Sequence, residues 1–600
     1  MMKYNRFSVL LCVLFAAQSM MGQLHFPPAF GGDTVNVRQD KMTRVYIAPK
    51  RIVWKSNEAA VTDADKLLEI NTGQADLFTD NMCHMINKGE QKASIILDFG
   101  RELHGGLKLV VSSCNPSLKP MFRLRFGESV TETCSETKEG ELENVGEIMD
   151  LESLTATNDH ATRDMRFMVP YYGQMEVGST GFRFVRIDLL TEDIEVCLKE
   201  VNAIFRYKDI PYIGSFKCSN DRLNKIWETG AYTVHLNMQE YIWDGIKRDR
   251  LVWLGDMHPE TSTISTVFGD DDSFYASMDL AVKQYPLPNY MNGMSAYSMW
   301  YIIIQHDWYM QNGNLKFLQK HKDYIFGLID LFDEHIHADG SEDLGGGRFL
   351  DWPSNGNPKG AEAGYRALLC LALQDANRLA LILGDKAKAQ KAVDAEKRLK
   401  KEIQEPNNLK QAASLMAIAG LMSPEAACKN YVSVGGAKGF STFYGYYMLE
   451  ALSLAGKYEE AMDIISQFWG GMLDLGATTF WEDFNLEWTK NAARIDDFVP
   501  QGKDDIHGDF GAYCYPGFRH SFCHGWASGP TAWMSHHVLG VEVVEPGCKK
   551  VRITPHLGKL QWAEGTYPTP NGVIRIRHEK KADGTIKSTI KAPKGVKVVK

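Results

Sequence analysis

The sequence has no long run of lysine and arginine, and its net charge of −9 over 600 residues is mildly acidic. Such a chain is a poor partner for DNA or RNA duplexes, which are gripped by clustered cations. Cysteine is scarce, with 11 residues in 600, far below the density of a disulfide scaffold. The cysteines are scattered, with no Cys-x-x-Cys pair and no metal-ligand spacing. Beyond the N-terminus no stretch reaches the ~18 uncharged apolar residues of a membrane span, so no stable membrane insertion is expected. A repeat consensus is also missing, which argues against a solenoid. With 44% hydrophobic and 24% charged residues, neither wholesale disorder nor a fibre fits. At ~100–200 residues per domain, the length implies several domains.

Residues 1–22 read MMKYNRFSVLLCVLFAAQSMMG. Lys3 and Arg6 form a short basic start, Phe7 to Ala17 an uncharged apolar run, and Gly22 a plausible cleavage point. This is the pattern of a secretory signal peptide, too short for a permanent membrane helix. Cys12 invites a lipoprotein reading, but Leu11 precedes it where a small residue is usual, and the apolar run continues past it. A periplasmic or secreted mature protein is expected. Export permits disulfides. Cys514 and Cys523 are near enough in sequence to pair, and buried thiols are expected for the others.

Periodicity divides the remainder. Residues 23–208 carry short runs rich in β-branched and aromatic residues, at Ala93–Phe99, Leu107–Ser112, Phe122–Phe126, Phe182–Leu190 and Lys199–Tyr207. They predict a β-sandwich region, with the Glu-rich segment Glu128–Glu152 as a loop or extended edge. Residues 209–540 read as helices. Apolar positions near a 3.6 period over Arg222–Trp243 predict the first, with Ser219 as its N-cap. Others are predicted near 297–311, 315–336, 361–383, 386–404, 440–455 and 457–468, joined by Gly- and Pro-rich links as an array of helical hairpins. Strand patterns return over 541–600 as a small C-terminal β-domain.

Acidic and aromatic residues collect on the links of the helical block, where function usually resides. The densest cluster, Tyr241–Pro259 (YIWDGIKRDRLVWLGDMHP), holds Asp244, Asp249 and Asp256 among Trp243, Trp253, Lys247, Arg248 and Arg250. Asp-Gly does not belong in a helix interior, so the segment predicts a loop. A solvated turn with local ion pairs is the plain alternative, but it leaves the apolar Leu251, Val252 and Trp253 unexplained. A half-buried acidic pocket accounts for them. Similar clusters are Gly476–Trp488 with Trp481 and Glu482, Ser521–Pro530 with His524 and Trp526, and Phe349–Pro353 with Asp351 and Trp352. Aromatic walls and carboxylates suit sugars: rings stack on C–H faces and carboxylates bond hydroxyls. Two carboxylates on distant segments suggest glycosidic cleavage. One stays protonated through burial and hands its proton to the leaving oxygen, and the other activates water. An inverting pair stands ~6.5–9.5 Å apart and a retaining pair ~5–5.5 Å.

The segment Asp244–Asp256, with GATTFWE at 476–482 and HGWASGP at 524–530, resembles the α-L-rhamnosidases of glycoside hydrolase family 78. LDFGRELHGG at 97–106 and LQWAEGTYPTPNG at 560–572 are similar to that family's flanking modules, so the resemblance covers nearly all of residues 90–580. It implies an (α/α)6 barrel flanked by an N-terminal β-sandwich region and a small C-terminal β-domain. It also implies an inverting mechanism on terminal α-L-rhamnosides of plant-type polysaccharides or glycosides, with no metal or organic cofactor. The family's acid lies seven residues before a substrate-binding Asp, which selects Asp249 as acid and Asp256 as a hydroxyl ligand. Glu482 matches the family's base. The substrate-binding set expected around the pair is Asp244, Arg248, Trp253, Asp256, Asp351, Trp352, Trp481, His524 and Trp526.

The chain departs from the family at two places. Many members open the first loop with Asp-Cys-Pro and use Glu as acid, whereas this chain has Asp244-Gly245-Ile246 and the shorter Asp249. The stretch between Glu482 and His524 is longer than usual, and its segment 489–517 is expected to narrow the pocket or read a neighbouring sugar. Two alternatives remain: another sugar specificity on the same barrel, or a catalytically inactive carbohydrate-binding protein. A binding protein needs no carboxylate opposite the first loop, so Glu482 favours the enzyme.

Overall fold

The structure, a computed structural model, describes Ala29 and residues 38–77, 80–114, 119–135, 164–511 and 517–599. The expected leader at 1–22 and Cys514 lie outside the described residues. Cys523 is a buried free thiol.

The predicted strands 93–99 and 107–112 are one strand, Ser94–Cys114. Glycines allow this. Gly105 has φ +149, and a Cβ there would lie 1.8 Å from the Ile204 carbonyl oxygen. The register with Gly173–Leu189 shifts at Asp98/Leu103 and again at Gly105/Leu107. Bulges of this kind bend and twist a strand without ending it. The strand therefore pairs antiparallel with Gly173–Leu189, Ile194–Tyr207 and Arg51–Lys55 at the centre of a nine-stranded sheet. One apolar cluster, including Leu97, Phe99, Leu107, Phe122, Phe126 and Phe182, forms its core.

The Glu-rich edge departs from expectation. Val130–Cys134 is a short helix capped by Ser129, whose Oγ accepts from Glu132 N. Glu128 and Glu132 are buried rather than solvated. Residues 136–163 lie outside the described residues.

Twelve helical segments build the central barrel. An inner ring runs Met257–Val267, Ser295–Asn312, Pro358–Ile382, Lys410–Ile418, Gly445–Leu454 and Gly529–Trp533, each touching the next and the last touching the first. The outer partners are Asp221–Asn237, Asp272–Gln284, Lys322–Glu334, Lys386–Leu399, the Pro424–Val432 segment and Tyr458–Asp474. Three inner helices, 257–267, 410–418 and 529–533, were not predicted. Buried on nearly every side, they lack the amphipathic period that marks a surface helix. The first helix starts one residue later than the Ser219 cap implies. Asn220 caps it, accepting from Arg222 N and Leu223 N, and Ser219 Oγ accepts from Gln561 N instead. The helix also ends at Asn237 rather than near Trp243. A turn follows in which Trp243 N donates to Asn237 O.

The C-terminal β-region recruits a distant strand. Ser215–Cys218 pairs antiparallel with Ala563–Thr566 in a four-stranded sheet, beside a three-stranded sheet that pairs Lys550–Ile553 with Val541–Glu545 and Lys597–Val599.

Candidate active site

The loops that enter the inner helices open at one end of the barrel and surround a cavity of about 360 Å³. Asp244, Asp249, Trp253 and Asp256 come from the loop before Met257–Val267. Asn292, Met294 and Tyr297 come from the start of the next inner helix, Phe349 and Trp352 from the approach to the third, and Glu482, His524 and Trp526 from the connection that leads into the last.

The first loop folds back on itself. Asp244 N donates to Leu251 O, and Leu251 N donates to Asp244 Oδ1 at 2.9 Å. The reversal between them places Asp249 and Arg250 in the left-handed region, at φ 57 and 53. Asp adopts this conformation more readily than most residues, while Arg250 is held there by its Nη1 bond to Ser179 O. The loop is fastened to its neighbour by Gly525 N donating to Asp244 O.

Asp249 and Glu482, 233 positions apart in sequence, meet across the Arg248 guanidinium. Arg248 Nη1 lies 3.3 Å from Asp249 Oδ2, and its Nη2 donates to Glu482 Oε1. Arg248 itself is buried behind the two carboxylates and does not line the cavity. The charge of Arg248 governs Glu482. Burial would raise this carboxyl, but Arg248, His524 and His520 outweigh it and hold it below the ordinary glutamate range. Ser521 N also donates to Glu482 Oε2, and Trp526 Nε1 and Thr442 Oγ1 donate to its backbone carbonyl. The two other aspartates are pushed the opposite way. Burial, then the charges of Asp249 and Asp256, raise Asp244 well above the usual range. Burial also raises Asp256, although His524 Nε2 at 3.1 Å and the Tyr297 hydroxyl at 3.2 Å pull it back. Around one cavity, therefore, Glu482 is held low while Asp244 and Asp256 are pushed up.

Aromatic rings make the wall. Trp253, Tyr297, Phe349 and Trp352 touch edge to face in that order, with centroids 6.1, 6.2 and 4.9 Å apart. Trp526 stacks on Phe443 on the other side.

Besides Arg248, two expected residues lie outside this lining. Trp481 is fully buried, stacked on Phe522 with centroids 4.1 Å apart. It supports the loop from behind. Asp351 is also buried and is consumed by bonds from Ser354 N, Ser354 Oγ, Gln411 Nε2 and Ser441 Oγ. It fixes the turn that presents Trp352. The segment 489–517 does not reach the cavity among the described residues. Its Ile495 and Asp496 meet the N-terminal region instead, where Val130 N of the short helix donates to Ile495 O and Arg183 of the sheet approaches Asp496.

Four lining residues were missed: Asn292, Met294, Tyr297 and Phe349. Phe349 sits in the FLDWP cluster and was legible there. Asn292 has φ 52, accepts from Leu254 N and donates to Val252 O, thereby joining two loops. Nothing local in the sequence marks it.

Residues 211–538 match the family model described as the bacterial alpha-L-rhamnosidase 6 hairpin glycosidase domain, and residues 540–599 the bacterial alpha-L-rhamnosidase C-terminal domain. The chain is similar to an alpha-L-rhamnosidase of Alteromonas sp. (strain LOR), 25% identical over 452 residues, covering 67% of this chain and 46% of that protein. Its fold is similar to the GH78 family rhamnosidase of Bacillus sp. GL1, at 20% identity and a TM-score of 0.68, covering 89% of this chain and 55% of that one. It is also similar to a rhamnosidase from Klebsiella oxytoca solved with rhamnose bound, at 18% identity and a TM-score of 0.63, covering 82% and 96%. The chain therefore spans about half the length of the Alteromonas and Bacillus relatives.

Proposed function

This chain belongs to the bacterial α-L-rhamnosidase six-hairpin glycosidase family, and from that premise we propose that it is an exported glycoside hydrolase removing terminal α-L-rhamnose with inversion. The observation that carries the reading is the pair of carboxylates, Asp249 and Glu482, bridged by one guanidinium at the edge of a single sugar-sized cavity.

In this mechanism Glu482 is the base. Its depressed pKa keeps it ionised, so it takes a proton from a water held against the anomeric carbon. Asp249 protonates the departing glycosidic oxygen on the opposite face. Asp244 and Asp256 bond the ring hydroxyls, and the wall from Trp253 to Trp352 packs on the C–H face and the 6-deoxy methyl group. Inversion requires the two carboxyls to stand ~6.5–9.5 Å apart, with room between them for that water.

The test is hydrolysis of a panel of aryl glycosides by the purified chain. Rhamnoside turnover with the first-formed sugar as the inverted anomer, followed by NMR, is expected. Turnover confined to another sugar would overturn the specificity, a retained anomer the mechanism, and binding without turnover the assignment as an enzyme. Export is tested separately: N-terminal sequencing of the protein recovered outside the cytoplasm should begin after Gly22.

A further inference from the structure

Among the described residues, three clusters bring metal-ligating atoms together away from the cavity's edge. In two of them a basic side chain already neutralises the carboxylates. Lys247 Nζ lies 3.2 Å from Glu128 and 2.8 Å from Glu132, and Arg378 Nη1 lies 2.6 Å from Asp375 Oδ1. The third joins an imidazole, a carboxylate and a thiol: His84, Glu195 and Cys197.

Strand pairing produces this juxtaposition. His84 and Cys197 are directly opposed on the antiparallel strands Cys83–Asn87 and Ile194–Tyr207. Glu195 is two residues from Cys197 and so shares its face. The donor atoms converge: His84 Nδ1 is 2.6 Å from Glu195 Oε1, and Cys197 Sγ is 3.4 Å from Nδ1 and 3.8 Å from Oε1. Donors placed ~2.0–2.3 Å from a tetrahedral zinc are about 3.3–3.8 Å from one another. Both sulfur distances already match. The remaining nitrogen–oxygen pair has to open by less than an ångström, and Glu195 is free to do this because its side chain is 50% exposed.

We propose that His84, Glu195 and Cys197 form a zinc site on the outer part of the N-terminal sheet, with water as fourth ligand. The donor set selects the metal. Thiolate and imidazole favour zinc over calcium or magnesium, which take oxygen ligands. Charge also balances. Binding converts the Cys197 thiol to thiolate and releases one proton, so thiolate and carboxylate together offset the dication at a half-buried position. The ion ties the strand Cys83–Asn87 and its two-residue neighbour Val61–Thr62 to the sheet's centre.

The experiment uses the whole purified chain, reduced and stripped with a chelator, titrated with Co²⁺ as a spectroscopic probe of the zinc site. A thiolate-to-cobalt charge-transfer band saturating at a single equivalent, reversed by Zn²⁺, is expected. Cys197→Ser should abolish the band. His84→Ala should weaken binding by at least about 100-fold, more than the ~10–100-fold typical of losing an outer-shell partner. Circular dichroism verifies that both variants fold. Zn²⁺ should also raise the melting temperature of the parent chain and leave Cys197→Ser unmoved. A chain without a thiolate band, or a band that survives Cys197→Ser, overturns the site.

Discussion

At the scale of single residues, Arg248 is the pivot. It touches both candidate catalytic carboxylates, so it sets their separation as well as the charge state of Glu482. Removing either carboxylate should cost ~10²–10⁴-fold in turnover, the usual yield of a positioned acid or base. Glu482→Gln should lose this on every rhamnoside. Asp249→Asn should lose less on aryl rhamnosides with good leaving groups, which need little protonation, than on alkyl rhamnosides. Equal losses across leaving groups would remove Asp249 from the role of acid. Arg248 supplies the pH test. Activity rises as the base ionises, and Arg248 holds Glu482 below its ordinary value. In Arg248→Gln the acidic limb of kcat/KM should therefore move to higher pH. A limb that stays in place would show that Glu482 is not the group being titrated.

At the scale of elements, the candidate catalytic loop rests on the N-terminal sheet as well as on the barrel. A Cβ on Gly181 would stand 2.7 Å from Ile246 Cγ1 and 3.0 Å from Lys247 N, immediately before Arg248. Gly181→Val should therefore push the loop and lower kcat while the sheet remains folded, since a β-branched residue suits a strand. Unchanged kinetics would mean that the loop's shape is set by the barrel alone. A second contact works from the other side. Gly255 lies against the Tyr297 ring, where a Cβ would come within 2.3 Å. Tyr297 can then donate to Asp256. Thus two glycines, one on a strand and one in a loop, allow the close approaches on which the site depends.

At the scale of the molecule, sheet and barrel share a buried polar junction. Lys247 Nζ sits between Glu128 and Glu132 and donates to the carbonyls of Phe518 and His520, while Glu128 Oε2 accepts from Phe522 N. Burial raises Glu128 to about 7 despite the pull of Lys247. Arg183 adds a second tie, bonding Asp98 on its own sheet and Gly476 O on the barrel. Breaking a buried ion pair from one side costs ~3–5 kcal/mol. Glu128→Ala should therefore show a lower denaturation midpoint, and a barrel expressed as residues 211–538 alone should lack turnover. An active isolated barrel would refute the dependence.

Period and composition made the three-part division readable. Alternating apolar residues in strands and 3.6-spaced ones in exposed helices are local signals, and the acid-aromatic links stood out because Asp-Gly and Trp side by side fit neither pattern. Asp244, Asp249, Trp253, Asp256, Trp352, Glu482, His524 and Trp526 were found in this way, and all line one cavity. Trp481 and Asp351 carry the same local signature yet lie behind the wall, because exposure is decided by neighbours distant in sequence such as Phe522 and Gln411. Asn292 and Tyr297 show the converse: unremarkable locally, they enter the site only when the second inner helix is set beside the first. The sequence by itself determined residue chemistry, the type of the elements with a clear period, and the order of the parts. The closing of the helical ring, the recruitment of Ser215–Cys218 into the C-terminal sheet, and the guanidinium between two remote carboxylates belong to tertiary structure alone, because each rests on contacts between segments that no local period relates.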